Sequence, residues 1–197
     1  AGAVASGVTR VKPGTYVVIV GKGGEPNQFG ENSSFNFNVA YGGGPGGTYL
    51  FPAVESNGST GGAGGNSSSL ATNPFVSSSD SFVNNGGGST GSDFSGGGGG
   101  GGAGSPATNA QDDDESRFIG TNGGDGIVSD FLDGTNRYFA AGGGGGGSGI
   151  LLTGQGGLGG GGSFSSPNGE DGTGSGGLGS NSSFDAQNAG SGGDGLV

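Results

Sequence analysis

The residues with most chemical potential in this chain are acidic. Asp112, Asp113, Asp114 and Glu115 stand side by side, and a hard cation such as calcium accepts carboxylate oxygens of this kind. The same four residues equally describe a solvated acidic loop. Glu170 and Asp171 form a second pair, but a glycosidase needs two carboxylates held apart across a sugar ring, and adjacent residues on one loop do not supply that separation. Gly123-Gly124-Asp125-Gly126 and Gly192-Gly193-Asp194-Gly195 share letters with calcium-binding nonapeptide repeats. Their aspartates fall at the wrong offset, and the units are not in tandem. Gly21-Lys22-Gly23-Gly24 follows a strand-like run, yet lacks the helix and the Ser/Thr spacing of a phosphate loop. The chain has no histidine and no cysteine, which removes imidazole bases, Cys/His zinc sites and disulfides. No catalytic residue and no cofactor are expected, calcium at the acidic loop being the one cation this chemistry would suit.

Binding is a different matter. Tyr49, Phe51, Phe75, Phe82 and Phe94 lie in polar stretches, where aromatic rings serve as anchors for a receptor or stack on sugars. Apolar rings in so glycine-rich a chain also cap the ends of glycine layers. The net charge of −11 makes nucleic acid and anionic membrane surfaces poor partners. The longest apolar stretch, Tyr16 to Val20, is far short of the roughly 20 residues that span a bilayer as a helix. The chain contains no methionine, so Ala1 reads as a processed or chosen terminus.

What positions such residues is the harder question. Hydrophobic residues make up only 27% of the chain, and 58 of its 197 residues are glycine, the residue that loses most conformational freedom on folding. A conventional side-chain core is excluded, and composition alone describes a flexible linker. Glycine gathered into recurring blocks rather than scattered also admits an ordered state that suits glycine. Collagen is excluded, because its glycines recur strictly every third residue with abundant proline; here the glycines come in blocks and only 7 prolines occur. The remaining state is a sandwich of extended left-handed threefold helices of the polyglycine II type. Their backbone groups point outward and bond sideways to neighbours. Blocks at Gly42–Gly47, Gly61–Gly65, Gly86–Gly88, Gly96–Gly104, Gly142–Gly149 and Gly156–Gly162, with shorter ones at Gly174–Gly179 and Gly190–Gly195, alternate with polar loops and predict a raster of runs and turns.

The expected fold is therefore mostly irregular and β, essentially without α-helix, with a small antiparallel β region over residues 1–41 and the glycine layers over 42–197 as one compact unit. Val8–Val11 and Thr15–Val20 flank Lys12-Pro13-Gly14 and predict a hairpin. Ser34–Tyr41 alternates apolar and polar, predicting a third strand packed with these two. Gly123–Leu132 and Thr135–Ala141 flank Asp133-Gly134, a hairpin turn signal.

Several stretches in this order resemble the glycine-rich domains of bacteriophage tail-fibre and receptor-binding proteins. They are Tyr16-Val17-Val18-Ile19-Val20-Gly21-Lys22-Gly23-Gly24, Asn32-Ser33-Ser34-Phe35, Gly124-Asp125-Gly126-Ile127-Val128-Ser129 leading through Tyr138-Phe139-Ala140-Ala141 into glycine, Asn168-Gly169-Glu170-Asp171-Gly172-Thr173-Gly174, and Gly190-Ser191-Gly192-Gly193-Asp194-Gly195-Leu196-Val197. The resemblance covers most of the chain from Thr9 onward. It implies layered glycine helices carrying loops that touch a host receptor, on a virion surface or tail fibre. The expected function is structural and adhesive, with a host surface glycan or outer-membrane protein, or copies of the chain itself, as partner. A self-assembling extracellular filament or surface-layer subunit is the alternative, with an ice-binding glycine face a third.

Overall fold

The computed structural model describes residues 1–46, 56–64, 81–89, 96–110, 119–147, 152–179 and 189–197. Among them there is no helix, and the strands are two or three residues long. Order comes instead from glycine runs that bond to one another with a period of three. In the run 96–104, Gly97, Gly100 and Ala103 donate to the carbonyls of Gly146, Gly143 and Ala140 at 2.8–3.0 Å. Gly98 and Gly101 turn to another neighbour and donate to Ala63 and Thr60. The carbonyls of Gly97 and Gly100 meanwhile accept from Thr121 and Gly124. A threefold helix rotates each successive peptide by a third of a turn, so residues three apart share a face. One run thus bonds to antiparallel partners on two sides and a parallel partner on a third.

The same grammar recurs elsewhere. Gly120, Gly123 and Gly126 donate to Leu152, Gln155 and Leu158 in a parallel pair. Gly142 and Gly145 donate to Gly124 and Thr121, and Gly190 and Gly193 to Leu178 and Ser175, in antiparallel pairs. The N-terminal region joins this layer directly: Gly2 donates to Gly174, and Gly192 and Gly195 donate to Gly24 and Gly21. Close approach is what demands glycine. A methyl group at Gly142 would lie closer than 3.0 Å to the Gly100 carbonyl, and no rotamer relieves a backbone collision.

Both ends of the raster have a distinct character. At one end lie the strands: β1 (Val4–Ala5) pairs with β5 (Ser81–Phe82), β2 (Val18–Ile19) with β3 (Ser33–Phe35), β3 with β4 (Asn38–Ala40), and β6 (Ile127–Ser129) with β7 (Arg137–Phe139), all antiparallel. The small side-chain core sits at this end, where Ala1, Ala103 and Ala140 are covered by Val4, Phe82 and Ile127. Ala140 has φ of 59°, a left-handed conformation costing about 1–2 kcal/mol for a residue with a Cβ. It turns the chain from β7 into the run that follows, and is held there by bonds from its amide to Thr173 and from Ala103 to its carbonyl.

A hairpin forms around Asp133-Gly134 as its sequence predicts, but its strands stop at Ser129 and resume at Arg137, and a longer connection over 130–136 holds Gly134 left-handed at φ 77°. Two other expectations need correction. Val8–Val11 does not pair with Thr15–Val20. The Tyr16 hydroxyl instead closes a small loop by donating to the Lys12 carbonyl while accepting from the Lys12 amide. Val18 and Ile19 pair with Phe35 and Ser34, in a register set where Glu31 donates to the Lys22 carbonyl and Gly21 donates to Ser33 Oγ. Residues 34–41 are not one strand either. The chain folds back at Asn36, whose φ of 56° belongs to the left-handed region that asparagine tolerates, and β3 and β4 form a hairpin.

Candidate functional site

The polar residues between glycine blocks are hydrogen-bonding parts of the raster, a role that turn chemistry does not predict. Asn122 Oδ1 accepts the amide of Gln155 at 2.8 Å, while the neighbouring Gly123 amide donates to the Gln155 carbonyl. Asp125 and Gly126 grip Leu158 in the same two-point fashion. Asn168 with Gly169 grips Ser191, Asp171 with Gly172 grips Asp194, and Asn109 with Ala110 grips Gly88. Each clamp joins parallel runs. Two of them repeat at a spacing of three within Asn-Gly-Gly-Asp-Gly (122–126), and two within Asn-Gly-Glu-Asp-Gly (168–172). That spacing is the only signal in the sequence that marks them.

Buried hydroxyls do similar work. Thr60 Oγ1 accepts from the Gly86 amide and Ser59 Oγ from Asn84, with both residues fully enclosed. Ser175 Oγ accepts from Ala141 and donates to the Gly159 carbonyl at 2.6 Å. Asp194 Oδ1 accepts from Gly23, so Asp125, Asp171 and Asp194 all spend carboxylate oxygens on backbone amides. Among the described residues, no three His, Cys, Asp or Glu side chains gather as a metal site. Asp133 accepts a backbone bond from Thr135 and faces Arg137, and these interactions hold its carboxyl below the usual aspartate value. Burial without a described partner pulls the Ala1 amino group down to about 6.

The sequence-derived binding residues divide by location. Phe82 is half-buried in β5 and packs on Ala1, Ala103 and Ala140 at the strand end. Tyr49, Phe51, Phe75 and Phe94, with Asp112, Asp113, Asp114 and Glu115, lie outside the described residues. The described runs still show where the segments that carry Phe94 and Asp112–Glu115 attach. The bonds from Gly97 to Gly146, Gly98 to Ala63, Ala110 to Gly88, Gly120 to Leu152, Gly179 to Gly144 and Gly190 to Leu178 collect the run ends at the pole opposite the strands. Segments 90–95, 111–118, 148–151 and 180–188 all join runs whose termini meet at this pole.

The family signature described as "Glycine-rich domain" matches residues 1–197, the whole chain. The chain belongs to that family. No curated protein and no solved structure matches it. In this glycine-rich domain the candidate site is the pole where the four segments attach. The clamps and hydroxyls belong to the frame.

Proposed function

We propose that this glycine-rich domain is a non-enzymatic, extracellular scaffold that presents segments 90–95, 111–118, 148–151 and 180–188 together for attachment to a host cell, as part of a virion surface or tail fibre. The observation that carries the reading is the gathering of run ends at one pole of a frame held by backbone bonds. Loops mounted on a rigid scaffold are where binding residues concentrate. The four segments carry Phe94, Phe118 and Phe184, the acidic cluster Asp112–Glu115, and Asp93 and Asp185. Rings with adjacent carboxylates suit a glycan, whose faces stack on aromatics and whose hydroxyls donate to acids. A host surface glycan or outer-membrane protein is the partner class, no cofactor is required, and nucleic acid is disfavoured by the charge.

The test uses the purified chain in a host-cell adsorption assay, in competition with intact virions. Wild-type protein should bind and compete. Replacing 90–95 and 111–118 with Gly/Ser segments of equal length should abolish both effects and leave the melting transition in place. Failure of the wild-type chain to bind or compete would remove the adhesive reading.

A further inference from the structure

A groove of about 810 Å³ runs through the glycine layers from Ala1 toward the segment-bearing pole. Its walls include Gly97 and Gly100 on one side and Gly176 and Gly179 on the other. Between these walls stand the amides of Gly143 and Gly146. Positions for a methyl at Gly100 and Gly176 lie 3.6 and 3.2 Å from the Gly143 nitrogen, and those at Gly97 and Gly179 lie 3.4 and 3.3 Å from the Gly146 nitrogen. Three residues apart on a threefold helix, the two donors face the same way, about 9 Å apart along the run. Both residues are buried, and neither amide has an acceptor among the described residues.

Two further observations single the groove out. Inside the raster, glycine is enforced by neighbouring carbonyls, as at Gly98 and Gly142, where a methyl would collide with backbone. At Gly100 a methyl meets nothing closer than 3.6 Å, and at Gly97, Gly179 and Gly176 the nearest atoms lie at 3.4, 3.3 and 3.0 Å, so no backbone carbonyl enforces glycine on this face as it does at Gly98. An occupant approaching as closely as the other runs do would require it. Ala1 borders the groove, against Gly43 and Gly176.

We propose that this groove is a slot for one more extended strand, supplied by a partner polypeptide segment of glycine, alanine and serine. Two of that segment's carbonyls, three residues apart, accept from Gly143 and Gly146. A chain with the threefold repeat offers acceptors at that spacing, and small residues let it pass between Gly97, Gly100, Gly176 and Gly179.

The probe is an acetylated, amidated Gly-Gly-Ala-Gly-Gly-Ser-Gly-Gly peptide titrated into the full 15N-labelled chain. The expected result is a saturable shift and slowed hydrogen exchange at the Gly143 and Gly146 amides. Gly100→Leu, which fills the slot from its wall, should weaken binding by about tenfold or more while retaining the wild-type melting transition. Gly46→Leu, on the open side of the slot, serves the same purpose if Gly100→Leu fails to fold. Absence of a saturable shift at millimolar peptide, or equal binding to the filled variants, overturns the proposal. Shifts of the same two amides with protein concentration alone would also overturn it, making a second copy of the chain the occupant.

Discussion

If backbone approach rather than side-chain packing orders this protein, two glycines two residues apart should respond oppositely to the same substitution. A methyl at Gly98 would be driven into the carbonyl and α-carbon of Gly87. Relief requires the runs to part, which breaks the bonds from Gly98 to Ala63 and from Gly87 to Gly99, now 2.9 and 2.8 Å long. Each contributes about 1 kcal/mol net, and forced overpacking adds about 1–3 kcal/mol. The stiffer unfolded chain returns about 0.4–1 kcal/mol. Gly98→Ala should therefore cost about 3 kcal/mol, or about 10 °C in melting temperature for a chain of this length. At Gly100 the same methyl meets only ordinary contacts, the nearest at 3.6 Å, and the unfolded-state term stands alone. Gly100→Ala should raise stability by about 0.4–1 kcal/mol. Thermal and urea unfolding followed by tyrosine fluorescence and circular dichroism measure both. Equal shifts for the two variants, or a Gly98→Ala melting point within error of wild type, would refute the claim that carbonyl approach fixes the fold.

Other outcomes follow from the clamps, the buried amine and the acidic loop. Asp125→Ala removes the acceptor of the exposed Leu158 amide and should cost about 0.5–1.5 kcal/mol in urea unfolding, whereas Asp125→Asn keeps an oxygen in place and should recover most of that loss. The amino group at Ala1 falls from 8.0 to about 6 on folding because it is desolvated. The unfolded chain then holds a proton that the folded chain gives up. The associated stability is complete above pH 8 and is lost as pH falls toward 6, about 2–3 kcal/mol in all; acetylating Ala1 should flatten this window of the stability profile. If Asp112–Glu115 acts as a solvated loop, calorimetric melting should be the same in calcium and in chelator, and an upward shift with calcium would assign the cluster a structural ion.

Glycine blocks determined the class of fold because, without Cβ atoms, extended backbones can approach until their own amides and carbonyls become the core. Blocked glycine with few prolines left the threefold polyglycine state, and the runs at 96–104 and 140–147 adopt its period-three bonding. The hairpin around Asp133-Gly134 was legible in outline, since its left-handed glycine is a local signal, while the short strands and the longer connection over 130–136 were not. Where local signals failed, lateral bonding between distant runs had taken over. Val8–Val11 and Thr15–Val20 have the composition of a hairpin, yet pairing of 21–24 with 192–195 and of Lys22 with Glu31 places β2 beside β3.

The Asx-Gly dipeptides show the same division. Asp133-Gly134 makes a turn, whereas Asp125-Gly126 and Asp171-Gly172 grip a residue of a parallel run. The letters are identical, and the presence of a neighbouring run at bonding distance decides between the roles. Phe82 likewise carries no mark that separates a receptor contact from a cap; its place over Ala103 and Ala140 is set by the pairing of β5 with β1. Composition thus determined that backbone would be the core. Which runs meet, and therefore which polar residues are frame and which are left at the pole, was decided by tertiary structure, because a threefold backbone helix offers similar bonding faces all round and carries no side-chain pattern to choose among partners.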